Sequence, residues 1–340
     1  MGAADLASTA KQLVAPGKGI LAADESSGTI EKRFKSISLE STEEHRRAYR
    51  DMLFTAPGVE EYLSGVILFD ETLRQSTGDG KTFVELLESR GIIPGIKVDK
   101  GAKDLAFFPG EKVTEGLDGL RERLNEYAEL RARFTKWRAV ITIGQDIPST
   151  FCIHANGHAL SRYAALSQEA GLVPIVEPEV LMDGDHTVDR CYEVTKQTLE
   201  ALFRHLDEHR VDLAGTLLKT NMVVSGKDNA RQADVHEVAE KTIEVLKATV
   251  PPEIPGIVFL SGGQSDEDAT AHLNEMNKLG GGPWELSFSY GRALQAPSLK
   301  AWKGDSSNVD AGQKALLHRS KMNGLARSGE YSADLENSAA

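Results

Sequence analysis

The sequence predicts an α/β protein built as one (β/α)8 barrel, the TIM-barrel fold. Eight short apolar runs recur along the 340 residues, and amphipathic segments with helical periodicity separate them. Runs that are apolar at both odd and even positions are typical of parallel strands buried on both faces. The composition does not change along the chain, so we expect one domain over residues 1–340. A doubly wound open sheet is the alternative arrangement of the same elements.

The predicted strands are five residues long or shorter. They cover residues 19–23, 65–69, 94–98, 139–143, 173–176, 215–218, 257–260 and 286–289. Between them, apolar residues recur every three or four positions and charged residues fill the opposite face, as the outer helices of a barrel require. We also expect a peripheral helix in the first ~15 residues and a helical pattern from Ala296 onward. A short tail from about residue 329 is expected to be mobile.

Composition and charge exclude several classes of function. The formal net charge of −12 argues against general binding to nucleic acid or to anionic membranes. No apolar run approaches the ~20 residues of a membrane span, and the first residues lack the apolar core of a secretory signal. Cys152 and Cys191 are too few for a disulfide framework, which favours a reducing compartment. We therefore expect a cytoplasmic protein.

Polar residues follow most of the predicted strands, at the end where barrel enzymes place their reactive groups. They are Asp24, Lys97, Glu177, Glu179, Lys219, Ser261, Gly262, Gly263, Gly291 and Arg292. Carboxylates, lysines, a glycine turn and an arginine should therefore meet at one mouth.

Lys219 directly follows an apolar strand and has two interpretations. A lysine at a strand end can simply extend its ammonium into water. Alternatively, it forms an imine with a ketone, which needs the neutral amine that burial and a nearby cation favour. Lys136 and Arg138 are candidate cations, although the predicted strand places them at its entry, the wrong end for catalysis. We expect that strand to begin earlier than residue 139.

Carboxylates near Lys219 could transfer the protons of imine chemistry. Glu177 and Glu179 are two residues apart, so both side chains should face the same side of an extended strand. Their alternative is a metal site or a structural salt bridge. Asp24 ends the first strand and could instead cap a helix.

Two glycine turns could bind phosphate. Ser261-Gly262-Gly263 follows the seventh predicted strand, and Ser289-Tyr290-Gly291-Arg292 closes the eighth. These are the strands after which barrel enzymes commonly bind phosphate, through backbone amides and guanidinium.

The sequence gives little support for a metal or a nucleotide cofactor. His-Glu-x-x-His, Cys-x-x-Cys, Walker and Rossmann patterns are all missing from the sequence. His154 and His158 have i,i+4 spacing, but Asn156-Gly157 between them makes a regular helix doubtful. His205 and His209 share this spacing in a charged helix, where exposure to solvent explains them.

Taken together, these segments resemble the class I fructose-1,6-bisphosphate aldolases. The matching segments are residues 17–26 (GKGILAADES), 65–73 (GVILFDETL), 95–101 (GIKVDKG), 136–138 (KWR), 175–179 (IVEPE), 215–219 (GTLLK), 259–265 (FLSGGQS) and 287–295 (SFSYGRALQ). They follow the family order across most of the chain.

The resemblance implies a role for each matching residue. Lys219 is the implied Schiff-base lysine, Glu177 its acid/base, Glu179 a neighbour near the lysine, and Asp24 the base for the C4 hydroxyl. Lys136 and Arg138 are implied to contact substrate, and Lys136 to assist the nucleophile. The implied C1-phosphate residues are Ser261, Gly262, Ser289, Gly291 and Arg292. Those near the C6 phosphate are Ser26, Thr29, Arg33 and Lys97.

The resemblance also implies cleavage to dihydroxyacetone phosphate and glyceraldehyde 3-phosphate without a metal or cofactor, and commonly a homotetramer. This sequence departs from the pattern at Thr220, where many relatives have proline, and at Thr29, where serine is frequent. Many relatives end in a longer tail with a terminal tyrosine, and we predict that Tyr331 does not replace it. A metal-dependent aldolase, a sugar-phosphate isomerase and a non-catalytic scaffold remain the alternative functions.

Overall fold

Eight parallel strands close into a barrel in the computed structural model, which describes residues 3–337. In chain order the ten strands of this range are β1 (Gly19–Ala23), β2 (Leu63–Leu68), β3 (Ile93–Lys97), β4 (Ala102–Asp104), β5 (Lys112–Thr114), β6 (Phe134–Ile141), β7 (Val173–Val180), β8 (Leu217–Thr220), β9 (Gly256–Phe259) and β10 (Glu285–Tyr290). The barrel order is β1-β2-β3-β6-β7-β8-β9-β10, and β10 pairs with β1 through Ile20 and Ser289. This closure confirms the (β/α)8 barrel and excludes the open sheet. The remaining strands, β4 and β5, form an antiparallel hairpin that the sequence analysis did not predict.

Helices follow the strands along the chain. They are α1 (Ala3–Leu13), α2 (Ser27–Lys35), α3 (Glu43–Thr55), α4 (Asp70–Leu73), α5 (Phe83–Ser89), α6 (Leu120–Glu129), α7 (Thr150–Glu169), α8 (Val188–Glu208), α9 (Val235–Thr249), α10 (Asp266–Lys278), α11 (Arg292–Trp302) and α12 (Val309–Arg327). Short 3-10 helices cover Val59–Glu61, Leu213–Gly215, Ser306–Asn308 and Ala333–Asn337.

Side-chain caps fix where the helices begin after the strands. The hydroxyl of Ser149 accepts a hydrogen bond from the Cys152 amide at the start of α7, and Ser265 does the same for Asp268 at α10. Thr187 and Asp234 cap α8 and α9 in the same way. Each cap satisfies an amide that has no partner within its helix, so each strand-to-helix loop has a defined end.

Among the strands that extend beyond their predicted limits, three carry the residues of interest. The fourth barrel strand begins at Phe134 rather than at residue 139, which agrees with the expectation of an earlier start and places Lys136 within β6. The next strand continues to Val180, and β8 continues to Thr220. Glu177, Glu179 and Lys219 therefore lie inside strands and not after them.

The predicted N-terminal helix is α1, which lies outside the eight β/α units and packs on the barrel interior. Leu6, Ala10 and Leu13 of this helix belong to one buried cluster with Ile20 and Phe134 of the barrel strands. Gly65 makes room for α1, because a Cβ at this position would lie 2.8 Å from a methyl carbon of Leu13. These contacts fill the interior with apolar side chains at the end of the barrel where its strands begin.

The C-terminal segment makes specific contacts with α12. Glu336 accepts hydrogen bonds from the Tyr331 hydroxyl and from the buried Arg319, and it pairs with His318. Residues 338–340 of the predicted tail lie outside the described residues, and the mobility of the tail stays a prediction.

No helix within residues 3–337 combines the length and the apolar character that crossing a membrane requires.

Candidate active site

A cavity of about 920 Å³ opens where the barrel strands end, and it collects almost all of the predicted site residues. The predicted residues that line it are Asp24, Ser26, Thr29, Arg33, Lys97, Lys136, Arg138, Glu177, Glu179, Lys219, Ser261, Gly262, Ser289, Gly291 and Arg292. Gly263 is the one predicted residue that does not line it. A Cβ on Gly263 would lie 3.3 Å from Arg292 Nη2, so this glycine packs against the arginine instead.

Four charged side chains meet inside the cavity. Lys219 Nζ lies 3.1 Å from Glu177 Oε1, and Lys136 Nζ lies 3.1 Å from the other oxygen of Glu177. The Lys136 ammonium also lies 2.7 Å from Asp24 Oδ2. The side chains of Lys219, Lys136 and Glu177 are at most 5% exposed, and that of Asp24 is 13% exposed. Glu177 thus bridges the two lysines, and Lys136 bridges the two carboxylates.

The alternation of side chains along the strands brings these charged groups together in the cavity. Side chains alternate across a strand, so Lys136, Arg138 and Val140 of β6 all line the cavity, as do Glu177 and Glu179 of β7. In the register of the two strands, Arg138 lies opposite Glu177, and Val140 lies opposite Glu179. The shared orientation predicted for the two glutamates is what the structure shows.

Lys136 is held as an ammonium ion. Burial alone would lower the pKa of Lys136, but the negative charges of Asp24, Glu177 and Asp99 outweigh burial and raise the pKa well above its usual value. Lys136 therefore offers a permanent positive charge rather than a nucleophile.

The two carboxylates are held ionised by the same contacts. Burial alone would raise the pKa of Asp24, but the positive charges of Lys136 and Lys219 reverse this effect and lower it well below its usual range. The pKa of Glu177 is lowered for the same reason, against an opposing contribution from burial.

The contacts distinguish the two buried lysines. Lys136 pairs with two carboxylates, whereas Lys219 pairs within residues 3–337 with one, Glu177. The raised pKa of Lys136 keeps its amine protonated, so that amine is not available for attack. Of the two amines, Lys219 is therefore the better candidate for attack on a carbonyl.

One rim of the cavity combines groups that bind anions. Gly262 and Gly263 both have positive φ in the turn after β9, and α11 begins at Arg292 with Gly291 as its N-terminal cap. Ser289 Oγ is buried and has no hydrogen-bond partner in the described part of the chain, which leaves this hydroxyl for a ligand. A glycine turn, a helix N-terminus and a guanidinium together suit a phosphate group.

Arg33 reaches the same rim. A Cβ on Gly291 would lie 3.6 Å from Arg33 Nη2, which places this guanidinium beside the glycine. The resemblance implied that Arg33 lies near the C6 phosphate, whereas the structure brings it to the residues implied for the C1 phosphate.

A second group of polar residues lies elsewhere around the cavity. Ser26 is the residue before α2 and its side chain does not cap the helix, because its hydroxyl lies 3.1 Å from the hydroxyl of Thr29. Lys97, at the end of β3, pairs with Asp99 at 3.2 Å. These two hydroxyls and this ammonium all line the cavity and are the candidate groups for a second anion.

Comparisons with known proteins agree with this geometry. The family model described as class I fructose-bisphosphate aldolase matches residues 5–340. A probable class 1 fructose-bisphosphate aldolase of Xanthomonas campestris pv. campestris is 62% identical over 327 residues, covering 96% of this chain and 98% of the relative.

The chain belongs to the class I fructose-bisphosphate aldolase family.

More distant members of this family agree. Cytosolic fructose-bisphosphate aldolase 4 of Arabidopsis thaliana is 53% identical over 333 residues, covering 98% of this chain and 85% of the relative. A solved structure of the Plasmodium falciparum fructose-bisphosphate aldolase, in complex with TRAP and a small-molecule inhibitor, superposes with a TM-score of 0.96. It is 49% identical and covers 97% of this chain and 96% of that chain. This member of the aldolase family is a carbon–carbon lyase that cleaves fructose 1,6-bisphosphate in glycolysis.

The aldolase cavity contains two further buried carboxylates that the sequence analysis did not single out. Glu25 pairs with Arg33 and with Arg50, whose Nη2 lies 2.7 Å away, and accepts a hydrogen bond from Gln295. The other carboxylate, Asp99, accepts a hydrogen bond from the Arg138 amide. Each lies two residues after the last residue of a strand, and this position near a strand end was the signal in the sequence that could have identified both.

Tyr331 lies apart from the aldolase cavity. Its ring is 6% exposed, its hydroxyl donates to Glu336, and the residue does not line the cavity. This position supports the prediction that Tyr331 does not act in proton transfer.

The paired charges of the cavity lead to a pH-dependent contribution to stability. Since the folded-state pKa of Asp24 is lowered, its contribution is complete above the unfolded pKa of ~4 and declines as the pH falls below it. We expect the difference in unfolding free energy between the wild type and Asp24→Asn to shrink between neutral pH and about pH 3. Urea unfolding of both proteins at several pH values in this range measures the difference in unfolding free energy. A constant difference would show that Asp24 is not held ionised by its neighbours.

Proposed function

We propose that Lys219 cleaves fructose 1,6-bisphosphate by forming an imine with its C2 ketone. The contact of the buried Lys219 amine with Glu177 carries this proposal, because it joins a nucleophile to a proton-transfer group inside a cavity. Two candidate anion sites around this cavity support a substrate with two phosphates. The proposed products are dihydroxyacetone phosphate and glyceraldehyde 3-phosphate.

Imine formation requires Lys219 and Glu177. Glu177 accepts the proton that the Lys219 ammonium gives up, and the neutral amine adds to C2 to give a carbinolamine. Glu177 then passes that proton to the departing hydroxyl, so that water leaves and an iminium forms. Because Glu177 also contacts Lys136, its proton exchange takes place beside a fixed positive charge. Glu179 pairs with Arg138, and this pair lines the cavity next to the reacting groups.

Bond cleavage requires a base for the C4 hydroxyl, a role that suits Asp24. As this carboxylate takes the proton, the C3–C4 bond breaks and its electron pair moves into the iminium, giving an enamine and glyceraldehyde 3-phosphate. The enamine then takes a proton at C3, and water hydrolyses the resulting imine to release dihydroxyacetone phosphate. Lys136, 2.7 Å from Asp24, keeps the carboxylate ionised until it acts.

Phosphate recognition is proposed at the two anion sites. Arg292, Ser261, Ser289 and the glycines of the adjoining turns would bind the C1 phosphate, with Arg33 approaching from α2. Lys97, Ser26 and Thr29 would bind the C6 phosphate. In both sites backbone amides, hydroxyls and cations replace the hydration of a dianion.

Asp24→Asn should separate the two halves of the reaction. Without the base, cleavage of fructose 1,6-bisphosphate should fall by about 10² to 10⁴, the usual range for a general base. Imine formation with dihydroxyacetone phosphate should persist, because Lys219 and Glu177 remain. Steady-state turnover and borohydride trapping measure the two steps. Loss of trapping together with turnover would mean that Asp24 acts before the bond breaks.

Arg292→Ala should weaken substrate binding. Loss of a guanidinium–phosphate contact should lower kcat/KM by about 10- to 100-fold, mainly through KM. Lys300→Ala is the matched control, since it removes one positive charge from the same cavity further along α11. Equal losses in the two variants would indicate a general charge effect and not a specific phosphate contact.

We also propose a cytoplasmic homotetramer. Phe107 is fully exposed and Phe151 is 54% exposed, while Phe108 stacks on Phe151 with a centroid distance of 5.0 Å. Exposed aromatic groups of this kind favour burial between subunits. Sedimentation equilibrium of the wild type and Phe107→Ser measures the subunit number, and an unchanged monomer in both would contradict this proposal.

A further inference from the structure

Four histidines from two helices meet on the outside of the barrel. His154 and His158 lie on α7, and His205 and His209 lie on α8. Within each helix the two histidines are four residues apart and so share a face. The helix α7 is regular through Asn156 and Gly157, contrary to the doubt raised by the sequence.

The rings of the two helices are in direct contact. The centroid of His205 lies 5.4 Å from that of His154 and 6.1 Å from that of His158, and His158 lies 5.0 Å from His209. Not one of the four histidines lines the catalytic cavity. The four histidines therefore form one cluster and are not separate side chains that are simply exposed to solvent.

We propose that this histidine cluster binds a first-row transition-metal ion such as Ni²⁺ or Zn²⁺, with His154 and His205 as its first two ligands. Nδ1 of His154 and Nε2 of His205 share a hydrogen bond of 3.2 Å, and a metal ion between them would replace its proton. Two nitrogens bound tetrahedrally at about 2.0 to 2.1 Å from zinc lie roughly 3.3 Å apart. The helices already hold the two nitrogens at the separation that a shared metal requires.

Hydrogen bonds prepare two of the imidazoles for this role. Nδ1 of His205 lies 3.0 Å from a carboxylate oxygen of Glu208, and Nδ1 of His209 lies 2.8 Å from the carbonyl oxygen of His205. Both oxygens accept, so each Nδ1 carries the proton and each Nε2 keeps its lone pair. Imidazoles that bind metals are oriented in this way by a carboxylate or carbonyl.

His158 and water molecules would occupy the remaining coordination positions of the ion. No three His, Cys, Asp or Glu side chains in residues 3–337 already converge as a ready-made metal site. His158 is exposed and adjoins both His205 and His209, so a change of its rotamer brings a third imidazole toward the ion. The site is therefore built from two fixed ligands and one adaptable ligand.

The side chain of Arg204 opposes metal binding at this cluster. Its Nη2 lies 3.0 Å from both ring nitrogens of His154, so its positive charge competes with a cation for this imidazole. Arg204 is exposed and can move into solvent when the metal binds. Removing its charge should strengthen binding, an effect opposite to that of removing a ligand.

The test is calorimetric titration of the full chain, free of any affinity tag and of EDTA, with NiCl₂ and with ZnCl₂. We expect saturable binding at one site per chain, its loss in the double variant His154→Gln, His205→Gln, and about tenfold weaker binding in Glu208→Gln. Arg204→Ala should bind more tightly than the wild type. The matched control His45→Gln, His236→Gln removes two histidines elsewhere and should bind as the wild type does.

Turnover of fructose 1,6-bisphosphate reports folding and separates this site from catalysis. Each variant should retain wild-type turnover, and EDTA should not change it. The proposal is overturned if the wild type does not bind either ion, if the double variant binds normally, or if the control variant loses binding equally. Weaker binding by Arg204→Ala would also overturn it, and this variant keeps every proposed ligand.

Discussion

Lys219→Ala should abolish turnover, with a loss on the order of 10⁵ to 10⁶, because the variant lacks the amine that we propose bonds covalently to the substrate ketone. Borohydride with substrate should no longer modify the protein. Removing the ammonium leaves Glu177 and Asp24 both still paired with Lys136, so neither buried carboxylate loses every cationic partner and the variant should fold.

Lys136→Ala is the comparison that assigns the nucleophile. Both lysines are buried and both contact Glu177, but the pKa of Lys136 is raised by Asp24, Glu177 and Asp99. Lys136→Ala should slow turnover while leaving a borohydride adduct detectable. If adduct formation were lost in Lys136→Ala and retained in Lys219→Ala, the assignment of the two amines would be reversed.

Glu177→Gln should have the next largest effect. The amide keeps the shape of the side chain but cannot supply a proton to the carbinolamine, so turnover should fall by about 10² to 10⁴. Single-turnover kinetics should show that imine formation has become the slow step. The rate of enamine protonation should change much less.

Glu179→Gln is the matched control for this prediction. Glu179 comes from the same strand and the same face, but its partner is Arg138 and not a lysine of the central cluster. The loss of turnover in Glu179→Gln should be smaller than the loss in Glu177→Gln. Equal losses, both in imine formation, would mean that the two glutamates share the acid/base role.

The sequence predicted the barrel because parallel strands covered by helices are apolar on both faces. It misplaced the strand ends for a physical reason. The end of the barrel that carries the cavity is polar inside, so β7 and β8 continue through Glu177 and Lys219, and β6 begins early enough to include Lys136. A charged residue was interpreted as the end of a strand, when it marks the change from an apolar to a polar interior.

Contacts between distant segments could not be predicted from one sequence. Glu25 and Arg50 form a buried ion pair across 25 positions, and only the packing of α3 on β1 brings them together. The hairpin of β4 and β5 has strands of three residues, and the first is exposed throughout, so no apolar alternation marks it. The histidine pairs were visible, but their meeting depends on how α7 packs on α8.

Borohydride reduction in the presence of fructose 1,6-bisphosphate, followed by tryptic mapping, tests the central claim most directly. A reduced adduct on Lys219 blocks cleavage there, so we expect one modified peptide spanning residues 211–227 and loss of activity in proportion to its yield. An adduct on Lys136 would contradict the account, as would an unmodified protein whose turnover stops when EDTA is added.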